Sequence, residues 1–253
     1  KQSTHALEMK EPLNGDGFGL GWYAQDIDFT PGVFKSIQPA WNDLNLKHLA
    51  AKLRSNCFFA HVRSATRGYV SQFNCHPFNY DQYLFMHNGD IGGFEKIKRF
   101  LRRKLSDDIY NWVQGQTDSE HLFALFLELF KQEKLHFNAE NTARLFLATL
   151  REIKKIKDLH QCYSASRINA VVTNGKSMVA IRYNSDANEK PATLYYATGS
   201  RYEYHDGACH ISQDEKGKIG VVLVASERLT SYQAEWHEIP PNHMLLVHDD
   251  FSV

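Results

Sequence analysis

The segment from Phe58 to Gly93 is the feature that most constrains how this chain can fold. A strand-like apolar run at 58–62 leads into the polar segment 63–68, and a second apolar run closes on the polar and glycine-rich segment 86–93. Two apolar strands that each end in such a loop can hold side chains and exposed backbone N–H groups around one small polar ligand. We therefore predict that the functional site lies here.

Length and composition narrow the possible classes of protein. The chain has 253 residues, 43% of them hydrophobic, so it can bury a large core, and we predict one domain spanning 1–253. The formal net charge is zero, which argues against a general affinity for nucleic acid. The four cysteines are widely spread, which favours a reduced, cytoplasmic protein. No apolar run approaches the roughly 18 to 20 residues that cross a bilayer, so we expect no membrane partner.

One basic cluster stands out against this neutral background. Apolar residues at helical spacing accompany it, so we predict an amphipathic helix whose solvated face is basic, rather than a surface for nucleic acid. The cations are Lys96, Lys98, Arg99, Arg102, Arg103 and Lys104, and the apolar residues are Phe94, Ile97, Leu101 and Leu105.

Periodicity predicts further helices and strands. Leu46, Leu49, Ala50 and Leu53 have amphipathic helical spacing. Thr117 with Glu120 forms a capping-box pattern that begins a helix, and another helix is predicted at Asn141 to Lys157. Taken alone, these patterns indicate only a mixed α and β fold. The predicted strands are Phe18 to Trp22, Val33 to Ile37, Phe58 to Val62, Ala170 to Thr173, Met178 to Tyr183, Leu194 to Thr198, Val221 to Ala225 and Met244 to Val247.

A set of ordered motifs resembles the class II glutamine amidotransferase domain of the N-terminal-nucleophile hydrolases. The motifs are Asn14 to Gly19, the Ala60-His61-x-Arg63-x-x-Thr66 run, Asn74 to Pro77, His87-Asn88-Gly89, Thr117 to Glu120 and Ala225 to Glu227. The resemblance implies an α+β fold, a four-layer αββα sandwich of two mostly antiparallel sheets with helices outside. The sequence of Phe18 to Trp22 resembles that of the family's small single-domain branch. This branch includes γ-glutamyl amidohydrolases of glutathione degradation and ergothioneine synthesis.

The resemblance also implies an activity, the cleavage of a γ-glutamyl amide. Family members carry the nucleophile on an N-terminal cysteine, whereas this sequence opens with Lys1 and is expected to lack that segment. One alternative is a non-catalytic subunit that binds γ-glutamyl compounds within a peptidase or synthase complex, and another uses Cys57 or Cys75 as the nucleophile. If the protein is such a non-catalytic subunit, we expect a peptidase or synthase subunit as its partner. We expect no cofactor and no metal.

The substrate end of such a compound carries an α-carboxylate and an α-ammonium, so a specific site should present one cation and one anion. Arg63 is the candidate for the carboxylate, because a guanidinium can donate two parallel hydrogen bonds to it. The resemblance implies that Thr66 lines the same pocket. Asp118 is the candidate for the ammonium. Arg63 could instead be a surface arginine, and Asp118 could be an acid that only stabilises a helix N-terminus.

Asn88 and Gly89 are the candidates for the oxyanion hole, with one donor from the side-chain amide and one from the glycine N–H. The alternative for Asn-Gly after an apolar strand is a hairpin turn. His76 either borders the pocket or is structural. Cys57 and Cys75 are predicted to be buried packing residues. The remaining candidates, His205, Cys209 and His210, match no standard zinc spacing.

Overall fold

The fold is described from a computed structural model. It describes residues 15–64, 69–189, 191–205, 208–213, 217–230 and 235–253, without the side chains at 204, 205, 208 and 209. The helices are α1 (Leu44–Ala50), α2 (Phe94–Arg102), α3 (Asp107–Trp112), α4 (Asp118–Glu133) and α5 (Ala139–Leu159). The first strands are β1 (Phe18–Tyr23), β2 (Pro31–Ser36), β3 (Phe58–Val62), β4 (Phe78–Tyr80), β5 (Tyr83–Asp90), β6 (Arg167–Thr173) and β7 (Met178–Asn184). The later strands are β8 (Tyr195–Gly199), β9 (Arg201–His205), β10 (Ala208–Ser212), β11 (Val221–Ala225), β12 (His237–Glu238) and β13 (His243–Val247).

The strands form antiparallel sheets. The largest has five strands in the order β13-β7-β6-β5-β4, and two others have three strands each, in the orders β2-β1-β3 and β11-β8-β12. β9 and β10 form a separate two-stranded ribbon. Every strand pairing in these sheets is antiparallel. The predicted mixture of helices with mostly antiparallel sheets is confirmed.

The five-stranded sheet has a hydrophobic core on each face. Helices α2 to α5 cover one face, and their aromatic side chains pack against residues such as Phe85 of β5. The other face packs on the small sheets through Tyr23, Phe59, Leu84 and Val171. Neighbouring residues of β5 therefore belong to different cores, as the alternation of side chains along a strand requires. Helices α2 to α5, the five-stranded sheet and the small sheets thus form three successive layers of the predicted αββα sandwich.

Strand β1 turns its glycines, rather than its large residues, toward the five-stranded sheet. A Cβ atom at Gly19 would lie 2.1 Å from the carbonyl oxygen of His76, and one at Gly21 would lie 2.8 Å from the side chains of Leu84 and Pro77. Only a residue without a side chain permits this approach. The alternating glycines of the sequence therefore close the space between the two sheets.

Most predicted elements are confirmed, with changes at their ends. The helix predicted after Thr117 begins at Asp118, and the Thr117 hydroxyl accepts a hydrogen bond from the Glu120 N–H at 3.2 Å. A capping box also requires the Glu120 carboxylate to bond back to the N–H of Thr117, and this part of the prediction is wrong. The carboxylate instead accepts from the N–H groups of Gln114 and Gly115 at 3.0 and 2.8 Å. The basic helix α2 buries its predicted apolar face. Among the described residues, no helix has the length and apolar character to span a membrane.

Candidate functional site

Strands β3 and β5 lead to the same edge of the space between the sheets. Tyr23 connects the residues that directly precede the two strands, because its N–H donates to the Cys57 carbonyl at 3.2 Å and its hydroxyl donates to the Gln82 carbonyl at 2.8 Å. Both strands then run away from Tyr23 along β1, and Gly21 faces Leu84. Alternation from Leu84 places Asn88 on the side of the sheet that faces β3. Arg63 follows β3 at the same edge.

Arg63 is buried at this edge, with 4% of its surface exposed. Its backbone N–H donates to the Gly17 carbonyl at 2.8 Å, and its carbonyl accepts from the Asp16 N–H at 3.1 Å. The guanidinium is close enough to His61 and His76 for its positive charge to contribute to lowering the pKa of both imidazoles. The alternative of a surface arginine is therefore wrong.

Asn88 and Gly89 lie inside β5, where they pair with Asn169 and Ile168 of β6. The hairpin turn expected of Asn-Gly is therefore wrong. Gly89 has a φ of 128°, and a Cβ atom there would lie 2.0 Å from the carbonyl oxygen of Arg167. This position consequently requires glycine on two grounds, its backbone angle and its close contact with β6. Both residues are exposed, so the amide of Asn88 is open to a ligand at the edge.

Asp118 connects the start of α4 to the end of β5. It is the first residue of the helix and is 5% exposed. One carboxylate oxygen accepts from the Ile91 N–H at 2.8 Å, and the other accepts from the Ser119 N–H at 2.9 Å. The predicted position in the first helical turn is confirmed. Ile91 directly follows β5. The Asp118 carboxylate therefore contacts a residue that is only two positions after Gly89.

Three buried imidazoles lie in the same region, and two of them, His61 and His87, escaped the sequence analysis as site residues. The rings of His61 and His76 are 4.3 Å apart, and Nδ1 of His87 lies 2.8 Å from the Ser119 hydroxyl. The ring nitrogens of His76 have no hydrogen-bond partner within the described part of the chain. The sequence offered one signal for these two histidines, their position next to candidate site residues. His61 lies two residues before Arg63, and His87 directly precedes Asn88.

Burial is the main cause of the low basicity of these imidazoles. It lowers the pKa of His61 to about 4, with further contributions from His87 and Arg63, and it also lowers the pKa of His76 well below its usual value. Burial also lowers the pKa of His87, although the negative charge of Asp118 opposes this effect. These electrostatic neighbours form a connected series from Arg63 through the three histidines to Asp118. Neutral imidazoles therefore separate the cation from the carboxylate at neutral pH.

Of the two cysteines predicted to be buried packing residues, Cys75 is buried and Cys57 is partly buried against the core between the sheets. Burial raises the pKa of the Cys57 thiol to about 11. Cys75 is fully buried, and burial raises the pKa of its thiol although Arg63 and Lys35 act in the opposite direction. Because only a thiolate is an effective nucleophile, neither residue is activated for attack. These raised pKa values disfavour the reading in which one of them replaces the N-terminal cysteine.

Two groups of predicted residues fall partly or wholly outside the structural description. Thr66 lies in the undescribed segment 65–68, and the side chains of His205 and Cys209 are likewise undescribed. Within the described ranges, no cluster of three side chains could hold a metal ion.

Comparisons with known proteins identify the family of this chain. The family model for class-II glutamine amidotransferases matches residues 7–251. The "Probable glutamine amidotransferase DUG3" of Saccharomyces cerevisiae is 37% identical over 95% of this chain and 71% of its own length. The γ-glutamyl-hercynylcysteine sulfoxide hydrolase of Mycobacterium tuberculosis is 37% identical over 31% of this chain and 33% of its own.

A solved structure supports the same assignment. The class-II glutamine aminotransferase domain protein from Silicibacter pomeroyi superposes with a TM-score of 0.68 and 28% identity, over 92% of this chain and 87% of its own. The glutamine phosphoribosylpyrophosphate amidotransferase of B. subtilis shares the fold at a TM-score of 0.58 and 17% identity, over 98% of this chain and 43% of its own. The chain belongs to the class II glutamine amidotransferases, a family of enzymes that act on amide bonds.

Proposed function

We propose that this protein cleaves a γ-glutamyl amide, either glutamine or a γ-glutamyl peptide or conjugate, through a thioester on an N-terminal cysteine. The proposal is supported by the arrangement in which Arg63 follows β3, Asn88 lies near the end of β5, and the Asp118 carboxylate accepts a hydrogen bond from the residue directly after β5. A cation, an amide donor and a carboxylate in this arrangement match the groups of a glutamyl residue. We assign His76 to the same pocket, and Thr66, which the family resemblance predicts to line it, lies outside the described residues.

Arg63 and Asp118 would hold the α-carbon end of the substrate. The guanidinium can donate two parallel hydrogen bonds to the α-carboxylate, and the Asp118 carboxylate can accept from the α-ammonium. Both side chains are buried, so their attraction for the substrate is less screened than it would be at the surface. The neutral histidines add no competing positive charge beside the ammonium. This arrangement favours a zwitterionic glutamyl group over a neutral amide.

Asn88 and Gly89 would act on the γ-carbonyl. The cysteine thiol gives its proton to its own α-amine as the sulfur forms a bond to the carbonyl carbon, and the carbonyl electron pair moves to oxygen, where the Asn88 amide and the Gly89 N–H donate to it. The carbon–nitrogen bond then breaks, and the leaving amine takes a proton from the α-ammonium of the nucleophilic residue. Water hydrolyses the thioester and releases glutamate. The sequence begins at Lys1, so the nucleophilic cysteine of this proposal is taken from the family resemblance.

The proposal also concerns the group that leaves and the molecule that accepts the glutamyl group. The names of the relatives cover two kinds of chemistry, glutamine amide transfer and hydrolysis of a γ-glutamyl conjugate. We propose hydrolysis with water as the acceptor when the protein acts alone. A partner peptidase or synthase subunit and a cytoplasmic location both stay predictions.

Steady-state kinetics with γ-glutamyl-p-nitroanilide test the proposal on protein that carries a native N-terminal cysteine. Arg63→Ala and Asp118→Asn should raise KM at least tenfold, because each removes a charge that binds the substrate. Asp118→Asn keeps an oxygen that can accept from the Ile91 N–H, so the local fold should survive. Arg54→Ala, at an exposed position before β3, is the matched control and should leave KM unchanged. An unchanged KM in the folded Arg63→Ala enzyme would refute the proposal.

A further inference from the structure

We infer that the protein has a second ligand site, for a carboxylate attached to an aromatic or bulky apolar group. The site is a cleft of about 540 Å³ between β2, the segment 72–79 and the segment 112–120. Its volume falls within the roughly 300–1,000 Å³ typical of small-molecule pockets. None of Arg63, Asn88 and Asp118 lines it. The inference is independent of the proposed function.

Lys35 is the polar centre of this cleft. Its ammonium lies 5.2 Å from the centroid of the Phe78 ring, and burial lowers its pKa. Across the ranges that the structure describes, no carboxylate forms an ion pair with Lys35. A cation that has lost much of its hydration gains more from an anion than a fully solvated cation does. Lys35 therefore provides a site for a negatively charged group.

Glu120 also lines the cleft, and its negative charge opposes the lowering of the Lys35 pKa, but within the described residues the two side chains form no ion pair. Its two carboxylate oxygens accept hydrogen bonds from the N–H groups of Gln114 and Gly115. The side chain is buried, and this burial raises the pKa of the carboxyl. Glu120 thus holds the loop before α4 with both carboxylate oxygens, and the ammonium of Lys35 has no ion-pair partner among the described residues.

Aromatic side chains form the other walls. Phe34, Phe73, Phe78 and Trp112 line the cleft, and Phe73 keeps 57% of its surface exposed. The Trp112 indole N–H donates to the Asn79 carbonyl at 3.1 Å, which fixes the orientation of the ring. Aromatic faces with a fixed orientation bind aromatic or bulky apolar groups well. The ligand class that fits both features is an apolar carboxylate, such as an N-acylated aromatic amino acid.

The cleft and the candidate glutamyl site lie on opposite sides of His76. His61, Gly19 and Lys35 are paired across three neighbouring strands, so their Cβ positions share one face of the sheet. Gly19 has no side chain, and the carbonyl of His76 occupies the vacant space above it. His61 thus stands on the side of Arg63, and Lys35 stands on the side of the cleft.

The test is a titration of the full chain labelled with 5-fluorotryptophan, followed by fluorine NMR. The chain has four tryptophans, and the Trp112→Phe variant identifies the resonance of the residue in the cleft. N-acetyl-L-phenylalanine should shift that resonance in a saturable way. N-acetyl-L-phenylalaninamide, which keeps the ring but lacks the carboxylate, should bind at least tenfold more weakly.

Variants of Lys35 test the assignment of the cation. Lys35→Met and Lys35→Gln should weaken binding of the acid at least tenfold, whereas Lys35→Arg should retain it. Lys176→Met is the matched control and should have no effect, because Lys176 also lies over an aromatic ring, 5.6 Å from the centroid of Phe29, but outside the cleft. Three results would each overturn the inference. They are equal affinity for the acid and the amide, unchanged affinity for the acid in folded Lys35→Met and Lys35→Gln, and no shift of the Trp112 resonance at millimolar acid.

Discussion

The two faces of strand β5 have different roles. On the helix side, Phe85 stacks on Phe123 with ring centroids 4.9 Å apart and planes 5° apart, and this packing continues through Phe126 and Phe146. On the side facing the small sheets, Leu84 packs beneath the glycines of β1. The helix side is a thick aromatic core, whereas the side between the sheets is thin and ends in the candidate site.

The division between the faces ends where β5 reaches the edge of the sheet. As far as Met86 both faces are apolar, and from His87 onward both are polar. Buried polar and charged groups cost stability unless they are well paired. The aromatic core on the helix side therefore supplies stability that the polar end of the same strand does not. Changes on the two sides should separate stability from activity.

Removal of a ring from the helix side should have the largest effect. Phe146 is fully buried in the aromatic core, so Phe146→Ala should lower the free energy of unfolding by about 3–5 kcal/mol. Leu147→Ala, at the next residue of α5 and 40% exposed, should cost less than about 1 kcal/mol. Urea denaturation followed by circular dichroism measures both. Similar losses in the two variants would show that the helix side is not the main source of stability.

Asn88→Ala should affect catalysis rather than stability. Loss of one oxyanion donor costs about 2.7–4 kcal/mol of transition-state stabilisation, so kcat should fall about 100- to 1,000-fold with little change in KM. The exposed Asn45 of α1 provides the control, and Asn45→Ala should have normal kinetics. Stopped or continuous assays with γ-glutamyl-p-nitroanilide measure both parameters. Normal turnover in Asn88→Ala would remove the oxyanion assignment.

The histidines between the sheets should make stability depend on pH. Unfolded His61 has a pKa near 6.5, and burial lowers it to about 4 in the folded chain, so the unfolded state binds the proton first on acidification. The stability is thus fully present above pH 6.5 and is lost as the pH falls toward 4. His61→Asn should remove about 1.4 kcal/mol per pH unit from the slope in this window. An unchanged slope would show that His61 is protonated in the folded protein.

The N-caps of α4 and α5 should give the smallest effects. Thr117→Ala and Asn138→Ala each remove a side-chain acceptor from the first turn, with losses of about 1 kcal/mol in unfolding free energy. Only Thr117 precedes Asp118, so only its variant should also raise KM for the γ-glutamyl substrate. Urea titrations and initial-rate assays on the two variants make the comparison. Equal KM values would show that the start of α4 does not position the substrate.

The sequence predicted the elements whose signal is local. The apolar runs of β3, β5, β6 and β7 and the hydroxyl of Thr117 identified strands and a helix start, because side-chain alternation and capping act over a few residues. Short or polar elements gave no such signal. Strand β4 has only three residues, and β9 and β10 are rich in polar residues.

Errors in the site prediction arose from contacts between distant parts of the chain. Asn88-Gly89 has the local signature of a turn, but its partner strand β6 lies far along the chain and extends the sheet through both residues. Glu120 fits a capping box, but the nearby N–H groups of Gln114 and Gly115 hold its carboxylate instead. The cluster around His87 depends on burial, which residue order alone does not reveal. The family motifs found the site, and only packing shows its electrostatics.

A crystal structure of the protein with L-glutamate tests the shared site most directly. The account predicts that one ligand molecule has its α-carboxylate within about 3.2 Å of the Arg63 guanidinium, its ammonium at the Asp118 carboxylate and its side-chain carboxyl beside Asn88 and Gly89. Glutamate bound elsewhere, or bound with Arg63 and Asn88 on no common ligand, would contradict it.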